Sequence, residues 1–188
     1  MSDRLKAIGS FVLAFGHTER LLISLLWSVA GLSPLIARAI LPSPPLNTVL
    51  EKLKRIDSMS HFDKRAKSVL KEALEHLAPI THIRNQIVHY GISHTGVTSK
   101  FATALTEDGM HLEVVTVENI NQMIADLMKI NGLLTLYVAT CRIDAPRVVP
   151  TDADYAALSQ AAWQYKYVSV ASRWKKPRTN RQKPRSKR

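Results

Sequence analysis

Between residues 4 and 30, Phe11, Phe15, Leu22, Leu25, Leu26 and Val29 recur mostly three, four or seven positions apart. That spacing predicts one long helix, closed by Gly31. Ser33 and Pro34 then read as the cap and first residue of a short second helix. After the break "LPSPPL", Ser43 and Pro44 can open a third helix running to about Ile56, and "DSMSHF" reads as a polar loop. Asp63 can cap the next helix, "KRAKSVLKEALEHLA", which Pro79 should interrupt before helical spacing resumes at Ile80, Ile83 and Ile87 and stops at Gly91.

Residues 97 to 117 change period. "VTSKFATAL" and "MHLEVVTV" are rich in β-branched residues and "TEDG" supplies turn chemistry, so a β-hairpin is predicted. Thr116 then caps a long helix to about Cys141. Asn119, three positions on, is neither Glu nor Gln, so only half of a capping box is expected. "DAPRVVP" reads as a linker, and Thr151 can cap a last short helix over 152 to 167. The expected fold is mainly α: an antiparallel helical bundle with one inserted hairpin, since short loops favour antiparallel neighbours. Residues 1–145 would form the bundle, 146–172 a linker and short C-terminal helix, and 173–188 a basic tail.

At 188 residues and 46% hydrophobic composition the chain can bury a substantial core. A single cysteine, Cys141, rules out an internal disulfide and fits a reducing, cytoplasmic setting. The longest apolar run, "LLISLLWSVAGL", is shorter than the roughly 20 residues of a membrane span, so a buried helix and no membrane partner are expected. Net charge is +11, but residues 173–188 hold nine of the 26 Lys/Arg and none of the 15 acids. The folded part is therefore nearly neutral. The tail is expected to stay disordered, either merely solvated or in contact with a polyanion such as RNA phosphate. Of the aromatics before it, Trp163, Tyr165 and Tyr167 are expected to dock on the bundle.

Candidate chemistry concentrates in "PITHIRNQIVHYGI", residues 79 to 92. On a helical wheel Leu77, Ile80, Ile83, Ile87 and Val88 form one apolar stripe with Arg84 inside it, and Asn85 and His89 share the face beside it. A guanidinium in such a stripe needs a partner. Glu19, on the shoulder of the first helix's stripe, offers a carboxylate. The pair would either fix helix register or hold Arg84 ready for a phosphate. The seven histidines contain no convincing metal-ligand spacing; His82 and His89 are two turns apart, with no third ligand in sight. No cofactor loop is present, and Cys141 lacks the neighbours of a nucleophile.

"RNQIVH" resembles the R-N-x-x-x-H motif of the HEPN superfamily. A second arginine–histidine pair, Arg55 and His61, straddles a helix end and a loop and is set aside. The resemblance covers residues 1 to about 141 by architecture and is sharp at 84 to 90. It implies a helical bundle that dimerises so that two motifs meet over a cleft. It also implies metal-independent endoribonuclease activity, with Arg84 and His89 catalytic and Asn85 and Glu19 supporting. The products would be a 2′,3′-cyclic phosphate and a 5′-hydroxyl. Members serve as toxins of toxin–antitoxin pairs, which would add an antitoxin protein as partner, and as phage-defence effectors. The alternative is an inactive bundle of the same fold that binds RNA, a nucleotide or a protein.

Overall fold

The computed structural model describes residues 2–40, 44–59, 64–90, 93–94, 101–102, 105–106, 109–110, 115–141 and 151–166; for a few of these, His89 among them, only the backbone is described. The described chain is mainly helical. Its helices are α1 (Ser2–Val29), α2 (Pro34–Ile40), α3 (Leu46–Met59), α4 (Lys64–Tyr90), α5 (Val117–Cys141) and α6 (Asp152–Gln160). Helix α1 packs on α5, α5 on α4, α4 on α3 and α3 back on α1, so these four close a ring around one core. Phe11, Phe15, Leu22, Leu25 and Leu26 of α1 lie in that core with Ile120, Met123, Leu127, Ile130, Leu134 and Tyr137 of α5. These are positions of one helical face in each case, and burying that stripe supplies most of the stability of such helices.

Local chemistry sets several ends. Gly31, at φ 68°, closes α1: Leu32 N–H donates to the Trp27 carbonyl and Gly31 N–H to that of Ser28, the paired bonds of a Schellman cap. At α5 the sequence reading needs correcting. Asn119 N–H donates to Thr116 Oγ1 (3.1 Å), while Thr116 N–H donates back to Asn119 Oδ1 (3.2 Å). The shorter amide thus completes the reciprocal cap expected only of Glu or Gln. Val117 is accordingly helical and not the end of a hairpin.

Helix α4 also differs from expectation, because it runs unbroken through Pro79. A proline inside a helix costs about 3 kcal/mol. Here Leu70, Leu74, Leu77, Ile80, Ile83 and Ile87 are all buried along one side, across the proline. That continuous apolar face outweighs the lost hydrogen bond, and the carbonyl that loses it belongs to the exposed Glu75. Val88, placed in the same stripe from the sequence, is instead 49% exposed.

In and just before the region of the expected hairpin, residues 97–117, two short antiparallel pairs are described. Strand β1 (Ser93–His94) pairs with β2 (Phe101–Ala102), and β3 (Leu105–Thr106) with β4 (Gly109–Met110). The rest of 97–114 lies outside the described residues, as do Tyr167, His61, Asp63 and the basic run 173–188. Helix α6 ends at Gln160 rather than 167, and residues 161–166 continue as an extended strap. By length and composition α1 is the one described helix apolar enough to cross a membrane. In this fold it gives its apolar stripe to the core and leaves Leu5, Val12 and Leu13 on its outer side exposed.

Candidate functional site

The site grows from the contact between α1 and α4. Phe15 and Leu22 anchor one side of α1 in the core, and Ile80, Ile83 and Ile87 anchor α4. Glu19 lies between the two α1 anchors on the flank of that stripe, and Arg84 directly follows Ile83. Packing the two stripes therefore turns Glu19 and Arg84 toward each other. Arg84 Nη2 stands 3.6 Å from Glu19 Oε1, with the two side chains 27% and 28% exposed. At that distance the contact is electrostatic attraction without a hydrogen bond. The other edge of the fork is held more closely: Arg84 Nη1 donates to Asn85 Oδ1 at 3.0 Å. The guanidinium carbon lies 5.3 Å from the centre of the Phe15 ring, within range of a cation–π attraction.

These groups line an open cavity of about 470 Å3. Glu19 and Arg20 enter it from α1, Thr81, Arg84 and Asn85 from α4, and Asn47 from the first turn of α3, with Pro44 and Pro45 just before it. The hydroxyl of the buried Thr81 donates to the Leu77 carbonyl (3.0 Å). Two arginines against one carboxylate leave the lining cationic, and the two amides add donors and acceptors for an oriented ligand. A phosphate here would meet a fork with one edge preset by Asn85 and the other attracted, without a hydrogen bond, to Glu19.

Of the four sequence-chosen residues, Arg84, Asn85 and Glu19 are brought together. The backbone of His89 continues α4 one turn beyond Asn85, and its side chain lies outside the described residues. The sequence reading missed Arg20, Asn47, Thr81, Pro44 and Pro45. Arg20 adjoins Glu19 and had that much signal. Thr81 lies one turn before Asn85 on α4, a spacing the sequence did show, whereas Asn47, Pro44 and Pro45 reach the cavity only because α3 packs beside α1 and α4, and no spacing along the chain announces that.

A second polar cluster sits between α4 and α5 and has a different use. Asp126, 2% exposed, accepts the backbone N–H of Gln164 and of Tyr165, each at 2.8 Å. Lys129 Nζ donates to the Ala161 carbonyl (2.7 Å) and lies 3.8 Å from the centre of the Trp163 ring. His76 stacks on that ring at 3.7 Å, and the Trp163 Nε1–H donates to Glu72 (3.0 Å). This cluster fastens the strap 161–166 to the bundle, the docking expected of Trp163 and Tyr165.

Among the described residues no three His, Cys, Asp or Glu side chains converge as metal ligands. His82 instead meets Gln86 across one turn, 3.2 Å from its amide nitrogen. Comparison with protein-family models, with curated proteins and with solved structures returns no match to this chain.

Proposed function

We propose that this chain is a metal-independent endoribonuclease of the HEPN type, acting as a homodimer on RNA in the cytoplasm as a toxin or phage-defence effector. The observation that carries the reading is Arg84: a guanidinium half-buried at the edge of an apolar stripe, braced by Asn85 and facing Glu19 across an open, cationic cavity. The resemblance of "RNQIVH" to the family motif supplies the rest.

In this reading the Arg84 fork binds the scissile phosphate and stabilises the charge that builds on its oxygens as the 2′-oxygen attacks. His89 exchanges protons with the attacking and leaving oxygens, which an imidazole can do near neutral pH. Asn85 sets the angle of the fork, and Glu19 holds the arginine until phosphate displaces it. The attack closes a 2′,3′-cyclic phosphate and releases a 5′-hydroxyl.

The test is incubation of the purified protein with mixed-sequence RNA in EDTA, beside Arg84→Ala and His89→Ala prepared identically. Cleavage by the parent alone, with cyclic phosphate ends, is expected. Equal cleavage by all three would place the activity elsewhere. RNA binding without cleavage by any would favour the inactive binding module.

A further inference from the structure

The observations reach furthest at a second concavity, also about 470 Å3, where α3 meets the first half of α4. Lys54 enters it from α3, and Lys64, Lys67 and Lys71 enter from α4. The last three are spaced by three and four residues, so they form one row along the helix. Leu70 and Leu74, both buried, supply the apolar floor. Glu75 is the one acid in the lining. It stands 3.9 Å from Lys71, with the two side chains 65% and 75% exposed, a contact that solvent makes weak.

This row is not isolated from the candidate site. On α4, Leu74 and Thr81 are seven residues apart, two helical turns, and therefore lie on one side; Asn85 follows one turn later. On α3, Asn47 and Lys54 are likewise seven apart. One side of the α3–α4 pair thus carries the lysine concavity toward one end and the Arg84 cavity toward the other, with Lys71 to Lys64 about 20–30 Å from Arg84 along α4. Both cavities are cationic. The spacing fits a chain of regularly placed negative charges better than one compact anion, and it lies within the roughly 4–16 nucleotides that single-strand-binding folds cover.

We infer that the groove lined by Lys54, Lys64, Lys67 and Lys71 binds the phosphate backbone of single-stranded RNA and feeds it toward Arg84. The proposed ribonuclease activity is needed only for the second half of that statement; the binding stands on the lysine row itself. The occupant is not the chain's own C-terminal run, whose charge has the same sign. Long lysine side chains over a shallow apolar floor suit sequence-independent contact, in which each cation replaces counterions condensed on the strand.

The probe is a fluorescein-labelled, 2′-O-methylated mixed-sequence RNA, which cannot be cleaved by 2′-oxygen attack, titrated at several salt concentrations. The variant K54Q/K64Q/K67Q/K71Q removes the row. The control K6Q/R38Q/K52Q/K166Q removes the same charge from exposed positions elsewhere. Four lost phosphate contacts should lower the slope of log K against log salt by roughly 2–3 and weaken binding on the order of a hundredfold at low salt. The control should change it far less. The tail is intact in both proteins and cancels.

Equal losses in both variants would mean diffuse attraction and overturn the site, as would a parent that does not bind. Amine acetylation read by mass spectrometry provides an arm that needs no variant: bound RNA should protect these four lysines in the parent. Protection as strong by inorganic tripolyphosphate would overturn the strand in favour of a compact anion. Arg84→Ala, which removes one phosphate contact, should lower the salt slope for the methylated RNA by only about 0.7, against roughly 2–3 for the lysine variant. Loss of cleavage with binding largely intact separates the two proposals: failure of the ribonuclease reading leaves the groove standing, and failure of the groove leaves the cleavage assay unaffected.

Discussion

Two charged clusters join helices in this bundle, and they are built to different standards. Around Asp126 each carboxylate oxygen holds a backbone N–H at 2.8 Å, and Lys129 is spoken for by a carbonyl, a ring and Glu72. Around Arg84 the ion pair stops at 3.6 Å, both partners keep about a quarter of their surface in water, and a cavity opens beside them. A buried charge is tolerable when its hydrogen bonds are complete. The first cluster meets that demand and behaves as a structural rivet. The second leaves hydrogen-bonding capacity directed at solvent, which is what a ligand site requires. The contrast predicts that damage to the first appears in stability and damage to the second in activity.

The largest effect is expected at Asp126. Asp126→Ala leaves two strap amides without their acceptor, and each orphaned buried donor costs about 1–3 kcal/mol, so a loss of about 2–6 kcal/mol is expected. Urea unfolding measures it. A loss under about 1 kcal/mol would mean that the strap contributes little and that the contrast is misdrawn. Arg84→Ala should do the reverse. An ion pair this open and this long is worth at most about 1 kcal/mol, whereas removing a donor to a developing oxyanion costs about 10²–10³ in rate. A protein that loses several kcal/mol with Arg84→Ala would return the Glu19 pair to the role of a register-fixing core contact. Arg84→Lys sharpens the point, because an ammonium cannot reproduce the planar fork and should recover little of the rate.

Trp163→Ala comes next, near 3 kcal/mol, the low end for loss of a tryptophan because this one is only partly buried. Its readout is local: the amides of Gln164 and Tyr165 should exchange hydrogen much faster, while those in the middle of α1 and α5 keep their order of protection. Cleavage by this variant at a temperature where it is folded should match the parent, since the strap does not line the Arg84 cavity.

The two clusters also differ in how far they could be read from the sequence. Glu19 and Arg84 sit on long helices whose apolar stripes are plain, so wheel positions alone placed each on the shoulder or inside of a stripe and paired them. Asp126 gave no such signal. Its partners are backbone amides 38 and 39 residues along the chain, and a backbone N–H carries no identity in a sequence. The strap was foreseen as docked, but as the end of a helix. Thr151 and Asp154 mark where α6 starts, while the extended course after Gln160 is set by tertiary bonds to Asp126 and Lys129. Pro79 misled for a related reason: local propensity argued for a break, and the apolar face on both sides of it decided otherwise. At Asn119 the side-chain type was read too narrowly, since reach rather than identity determines whether a cap is reciprocal.

The smallest effect is expected at a third charged group that belongs to neither cluster. Asp154 is fully solvent-exposed, and its carboxylate accepts from the Thr151 hydroxyl (2.7 Å) and the Thr151 N–H (2.8 Å), closing the cap of α6. Those two bonds favour the ionised form and hold its pKa below the usual carboxylate value, the hydroxyl being the larger cause. The sign follows from linkage. With the folded pKa depressed, the unfolded chain binds the proton more readily, so the contribution is fully present above the unfolded pKa, about 3.9, and is lost as pH falls through the folded one. Asp154→Asn keeps an acceptor but cannot ionise. The gap in thermal midpoint between parent and variant should therefore be small and constant from neutral pH down to about 5, and should close in more acid solution. A gap that persists unchanged at acid pH would show that the side chain caps α6 through shape and neutral hydrogen bonding alone. The charge of Asp154 would then matter little, unlike the charges buried around Asp126 or turned toward a ligand at Arg84.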